Sequence, residues 1–426
     1  MAEPMAMTQL EVPDYDLGIR GKLVRTAKTV HPTNLAFCTI LYGLSVVDDV
    51  TDTPFSNADN GYPDATLIPD ESTRVALPWR PGTDAVIADL AGADGTPIDI
   101  SPRAALGSLV SKYLDLDLEP VLGFEYELWL FHDRTEGANA RRSLSSTENA
   151  YSLTRVAETQ ELATEYITRM HAVGIEVEMF HSELGPGFFE FTLAPARACR
   201  AADNAVRAKQ YLRDLCAERG LYASFMAKPF AGKSGAGGHL HSSLTRNNTN
   251  IFADEQLRLS PEAEAYLAGL LAGMADTTAL LNPYVNSYKR IDPDMFTPAT
   301  ASWGHDDRST ACRVILNDVN SARVEHRRPG ADASPYLVAA AVLAAGLHGL
   351  QERLVLPEPG ADPVPVPGDL ATAADAFENS PWLADLLGKP FCSSYAATRH
   401  AEAQRYDEWL RTTITTWELA RHLEHQ

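Results

Sequence analysis

Basic residues and cysteines are both scarce in this chain. Lys and Arg total 36 against 57 Asp and Glu in 426 residues, a formal balance of −21. A polyanionic backbone or an acidic lipid surface would therefore be repelled over most of the protein, which argues against nucleic acid and membrane as partners. The five cysteines, Cys38, Cys199, Cys216, Cys312 and Cys392, are odd in number and scattered, without a C-x-x-C pair. Neither a disulfide framework nor a zinc knuckle is expected, and a reduced cytoplasm is the plain reading. No basic start followed by an apolar run opens the chain, and its most apolar stretch, Tyr336 to Leu350, is short, Ala-rich and carries His348; it reads as a buried helix. There is no internal repeat. Disorder is excluded by composition, 45% hydrophobic against 22% charged.

What is present divides in two. From Arg20 to Leu90 the text is β-branched and turn-rich, as expected of a small mixed sheet. Ser101 to Leu118 opens with a Ser cap and an early Pro and then shows helical spacing, so it predicts a bridging helix and a boundary near residue 115. Residues 116–426 alternate strand-like runs (VLGFEYELWLF, GIEVEMFH, GFFEFTLAP, ASFMAKPF, SARVEHR) with helical ones at Ala157–Val173, Asp203–Gly220, Pro261–Leu280 and Pro335–Arg353. The expected class is α+β, with one large sheet in the second region. Arg134 to Asn149, polar and Ser-rich, and Pro357 to Gly368, Pro-rich, read as surface connectors.

Polar residues interrupt several of these strands in pairs. Glu125 and Glu127 lie two apart in an otherwise apolar run and share a face. Alone, this fits a wet sheet face as well as a site. Glu183 and Glu190 flank a Gly-Pro-Gly turn that lets a hairpin bring them together. His239 and His241 share a face within a Gly-rich segment, and Arg323, Glu325 and Arg327 share another, while Val324 and His326 point away. Five carboxylates with at least one imidazole suit hard divalent cations, Mg²⁺ or Mn²⁺, better than zinc or copper. Arg290, Arg308, Arg313 and Arg327 have planar forks suited to carboxylate or phosphate. A site for metal, nucleotide and carboxylate is the physical expectation.

The ordered motifs GFEYELWLF, HSELGPGFFEF, KPFAGKSGAGGHLHSSL, NSYKRIDPDMFTPATASWGHDDRSTACRV and ARVEHRRPGADASPYLVAAA resemble the glutamine synthetase superfamily, type I-like, over nearly the whole chain. The resemblance implies an N-terminal β-grasp domain, a catalytic domain with a large curved antiparallel sheet, and a homo-oligomer, commonly a dodecamer with sites between subunits. It implies ATP and two to three Mg²⁺ or Mn²⁺ ions per site. Residue by residue, it assigns Glu127, Glu183 and Glu190 to one metal site and Glu125, His239 and Glu325 to another. His241, Arg308 and Arg313 would contact phosphates, and Ser243 would lie in the nucleotide pocket. Arg290 would hold the substrate α-carboxylate, Arg327 would stand near the reacting carboxylate, and Gly235 would offer a backbone contact. The implied reaction is attack of a γ-carboxylate on the γ-phosphorus of ATP, then displacement of phosphate by an amine.

The pattern departs at the amine. Phe296 occupies the loop position where ammonia-using members carry a Glu that binds and deprotonates ammonium, and the family's DGS-type N-terminal turn is missing. An ammonium has a pKa roughly like that of Lys, about 10.4, so loss of that anion should hurt ammonia use. Phe188 stands where many relatives have Gln, which makes the amine end more apolar and roomier, and Ser234 stands where the family usually has a substrate-contacting Asn. Packing of the loop is the alternative role for Phe296. Asp292, Asp294, Asp48, Asp49, Asp52 and Asp59 are the candidate replacement acids. These departures resemble those of γ-glutamylpolyamine and γ-glutamyl-monoamine synthetases. The expected function is ATP-dependent ligation of glutamate to an organic amine. Glutamine synthesis from ammonium, or a non-catalytic regulatory role, is the alternative.

Overall fold

The computed structural model describes residues 5–16, 18–29, 35–92, 94–132, 143–361 and 364–424. Most of the expected polar segment at 134–149 therefore lies outside the described residues. Two sheets carry the fold. The first is mixed: Met7–Pro13 runs antiparallel to Ile19–Arg25 and parallel to Thr83–Ala91, which in turn pairs with Asp64–Pro69 and, through it, with Ala36–Cys38. Leu10, Val12, Val86 and Ile87 are buried there, whereas the edge strand Ile19–Arg25 shows Lys22 and Arg25 to solvent, a charged edge that discourages further pairing.

The bridging helix forms at Pro102–Leu114, with Ala105, Leu106, Leu109 and Tyr113 on its buried face. Ser101 is at the cap position, but its side chain makes no capping bond; Pro102, which has no N–H to satisfy, takes the first position instead. Arg103 of this helix reaches Asp70, just after the strand Asp64–Pro69, at 2.7 Å, Asp89 on the first sheet at 2.6 Å and Asp203 on the helix Ala198–Glu218 at 3.0 Å. Glu11, buried in the first strand, accepts from Arg207 at 2.7 Å and Tyr211 at 2.7 Å of that same helix. Charges withdrawn from water in this way hold one relative position of the two sheets, because breaking such a pair strands a buried charge.

The second sheet has ten strands, with the path Trp303–His305, Cys312–Ile315, Arg323–His326, Gly238–Arg246, Glu119–Phe131, Phe188–Leu193, Val177–Ser182. It is antiparallel except for the first pair, which is parallel. Of the expected strand ASFMAKPF only Ala223 and Ser224 are extended, within the strand Tyr222–Ser224. The expected helix over Pro261–Leu280 divides at Gly273 into Pro261–Ala272 and Met274–Leu281. Pro335–Glu352 is buried on nearly all sides, and His348 stacks on Trp382 at 4.7 Å. Sequence patterning did not identify the C-terminal helices Leu370–Glu378, Pro381–Leu387, Lys389–Thr412 and Thr416–His422. Among the described residues no helix is long and apolar enough to cross a membrane.

Candidate functional site

A cavity of about 1470 Å³ lies over the polar face of the large sheet. The ladder explains how side chains from distant sequence meet there. Glu125 faces His239 across one strand pair and Glu127 faces Glu190 across another, while Glu325 lies opposite both His241 and Arg313. Because alternate residues share a face, fixing the register brings every one of these polar side chains to the same side. His326 points the other way into the core, and burial lowers its pKa to about 3.

Two donor groups result. Glu125, His239 and Glu325 offer ligand atoms within 4.8 Å of one another, as do His181, Glu183 and Glu190. The first group is the set implied by the family resemblance. In the second, His181 stands beside Glu183 and Glu190, at 3.2 and 3.5 Å, whereas Glu127 turns one oxygen to the backbone N–H of Gly237. Sequence reasoning overlooked His181, although its spacing of two from Glu183 was a usable signal. Tyr151, also overlooked, stacks on His181 at 5.2 Å.

The electrostatics are those of an anionic cup. Burial, followed by the charges of Glu125, Glu127, Glu183 and Glu325, pushes Glu190 up to about 10. Burial also raises Glu127. Burial opposes ionisation of Glu125 and Glu325 as well, but the neighbouring imidazoles prevail and hold both low, with Arg327 assisting at Glu325. Carboxylates crowded to this degree, with oxygen donors in excess and one imidazole per group, fit hard divalent cations.

The arginines stand directly beside the donors and complete a wall of the cavity. Arg313 Nη1 meets Glu325 at 3.0 Å and Arg327 meets the other oxygen of the same carboxylate. Arg327 Nε donates to the carbonyl of Arg308 at 3.2 Å, and the Arg308 side chain is exposed at the cavity. Arg323 Nε donates to His241 Nδ1 at 3.2 Å, which leaves the Nε2 proton facing Glu125 at 3.4 Å. Arg290 is buried and gives N–H groups to the carbonyls of Arg328 (2.9 Å) and Arg327 (3.2 Å). Glycine is required beside it. A Cβ on Gly235 would lie 2.5 Å from Arg290 Cγ, and one on Gly237 would lie 2.5 Å from His239 Nε2. Ser234, Gly235 and Ser243 all line the cavity.

Apolar side chains line the cavity as well, among them Leu184, Phe188, Met295 and Phe296. Phe296 has φ +58°, a left-handed conformation uncommon for a bulky residue, and its side chain is 55% exposed. It does not pack the loop. Phe188 is held against Trp129 at 4.7 Å and so forms wall, not free space. The candidate acids do not line the cavity of this chain. Asp292 accepts from the Asp294 N–H, Asp48 pairs with Arg20, and Asp52 accepts from Tyr62.

The model of the glutamine synthetase catalytic domain matches residues 99–422. The chain belongs to the glutamine synthetase family. It is 34% identical over 437 residues to the glutamate–isopropylamine ligase of a Pseudomonas species, covering 98% of this chain and 94% of that one. Against the γ-glutamylethanolamide synthetase of Streptomyces coelicolor it is 32% identical over 380 residues, 87% and 81% of the two chains. The solved structure of ligand-free GmaS superposes with a TM-score of 0.85 at 28% identity, covering 99% and 97%. Glutamine synthetase family enzymes are ligases that use ATP and divalent metal, in keeping with the two donor groups and the arginine wall.

Proposed function

We propose that the protein joins the γ-carboxylate of glutamate to an organic amine through γ-glutamyl phosphate, releasing ADP and phosphate. The observation that carries this reading is Phe296. Where ammonia-using relatives have an acid, this chain turns an exposed ring into the cavity, and the nearby Asp292 is occupied in its own turn. Two curated relatives named for ligating isopropylamine and for making γ-glutamylethanolamide support it.

In this reading Arg290 and the Gly235 backbone take the α-carboxylate of glutamate, with Ser234 beside them. Arg327 stands at the reacting carboxylate. Arg308, Arg313 and His241 take phosphate oxygens, and Ser243 borders the nucleotide. Glu125, His239 and Glu325 would hold one divalent cation, and Glu183 and Glu190, with Glu127 and His181, another. Mg²⁺ or Mn²⁺, two to three per site, would neutralise phosphate charge as it shifts during transfer. The arginines assist by standing preorganised where negative charge develops. A binding-only role is disfavoured, because regulation has no need of both donor groups and the full arginine wall.

We further infer a β-grasp unit over residues 1–115 and a catalytic unit over 116–426, supported by the parallel central pair of the first sheet. A cytoplasmic homo-oligomer, dodecameric with sites between subunits, fits the five unpaired cysteines and the exposed Trp409, Ile414, Trp417 and Leu423 near the C-terminal end. Light scattering on the purified protein tests the subunit number.

The function is tested by phosphate release with ATP, Mg²⁺ and glutamate against ammonium, isopropylamine, ethanolamine and putrescine, with mass spectrometry of products. A γ-glutamyl amide of an organic amine with little glutamine is expected. Turnover with ammonium alone would return the chain to glutamine synthesis, and silence throughout would refute the ligase reading.

A further inference from the structure

Behind the glutamate end of the cavity lies a second buried set of polar groups, to which the reaction as described assigns no part. Arg290 closes the short helical turn Val285–Arg290. Three residues earlier, Ser287 accepts from the N–H of Tyr284 at 3.0 Å and donates to one oxygen of Asp332 at 2.7 Å. The other oxygen of Asp332 is buried and has no hydrogen-bond partner, and neither has Nε of Arg290. Unpaired buried oxygens are uncommon enough to ask for a reason.

The segment that carries Asp332 is held from both sides. Lys209, reaching in from the helix Ala198–Glu218, donates to the carbonyls of Ala331 at 2.6 Å and Ala333 at 3.1 Å. On the cavity side the Ala331 N–H donates to Ala236 at 3.0 Å, and the Gly238 N–H donates to Pro329 at 2.9 Å. The same stretch thus supports the 234–238 turn, whose glycines contact Arg290, and supplies from residues 327 and 328 the carbonyls that hold the Arg290 guanidinium. Asp332 brings a carboxylate to this clamp from behind, while Glu127 accepts from the Gly237 N–H on the cavity side.

We propose that Asp332 is a positioning residue for the amino-acid substrate: through Ser287, and with Lys209 anchoring its own loop, it sets Arg290 and the 234–238 turn at the spacing that receives an α-carboxylate. This rests on the reading of Arg290 as the α-carboxylate arginine.

Asp332→Asn keeps the volume and an oxygen for Ser287 but removes the charge; Ser287→Ala keeps the charge and removes the tie. Each is expected to raise KM for glutamate ~10-fold or more, the scale of a lost bond to a charged group, with kcat and KM for ATP within about twofold of wild type. Glutamate binding by calorimetry, with ATP analogue and Mg²⁺ present, should weaken by the same factor. A merely structural role would move KM for ATP and kcat together with KM for glutamate, and that result, or an unchanged KM for glutamate in a folded variant, overturns the proposal. Should Asp332→Asn fail to fold, Ser287→Ala decides. Wild type that binds no glutamate would overturn the function reading itself, a result separable from any effect of the variants.

Discussion

Replacing Glu325 with Gln puts the donor group of Glu125, His239 and Glu325 to a quantitative test. The side chain is 1% exposed and carries contacts to Arg313, Arg327 and His239 besides its assigned cation. Gln keeps the volume and one carbonyl oxygen but no charge. Removing a ligand should weaken binding by at least ~100-fold, the upper end of what changing a mere supporting partner costs. At a Mn²⁺ concentration 100 times its dissociation constant, the wild-type fold gains about 2.7 kcal/mol from binding. A 100-fold weaker site at that same concentration gains only about 0.4 kcal/mol, so most of the metal-induced rise in Tm should vanish. Without metal, the variant also loses charge-assisted bonds to two arginines, each worth about 1.5–3 kcal/mol, and its own Tm should fall. The assay is a thermal melt of wild type and variant, each with and without Mn²⁺, alongside phosphate release. Turnover should drop below detection. An equal Mn²⁺-induced shift in both proteins, or activity that survives, would refute the assignment of Glu325 as a ligand.

Phe296→Glu returns an anion to the amine end of the cavity and is expected to raise kcat/KM for ammonium while lowering it for alkylamines; no gain with ammonium would place the proton acceptor elsewhere. Lys209 supplies a pH test. Burial, then the charge of Arg213, lowers it to about 7, whereas the unfolded chain titrates it near its ordinary 10.5. Between those values the unfolded state binds the extra proton, so this group makes stability rise with pH from about 7 to about 10.5, by at most about 1.4 kcal/mol per pH unit. Lys209→Met should flatten that slope in denaturant melts at pH 7, 8 and 9; an unchanged slope would show that Lys209 is charged in the fold.

Alternation made most of the site legible. Once Glu125 and Glu127, His239 and His241, and Arg323, Glu325 and Arg327 were read as strand residues two apart, the face each pair shares followed from the pleat. Nothing local, however, says which strands are neighbours. Gly238–Arg246 sits between Glu119–Phe131 and Arg323–His326 because of long-range packing, and that order is what unites Glu125, His239 and Glu325. His181 was missed for a different reason: its spacing of two from Glu183 spans the end of the strand Val177–Ser182, and only the pairing that sets Glu190 opposite it shows that all three meet. The break at Gly273 and the loss of most of ASFMAKPF are cases of tertiary packing overruling local pattern.

The same distinction explains where this family member could change its amine without losing its chemistry. The donors and Arg313 and Arg327 stand on strands or directly after one, their positions fixed by a ladder in which a slip of one residue would turn every ligand into the core. Phe296 instead ends a three-residue helical turn in a loop, where the left-handed backbone is held by hydrogen bonds from the N–H groups of Phe296 to Pro293 and of Thr297 to Asp292. Neither bond involves its side chain. On the proposed function, a substitution there would alter what the cavity presents to the amine and leave the ladder untouched, so the phosphate-transferring and amine-selecting halves of the site would be free to vary independently.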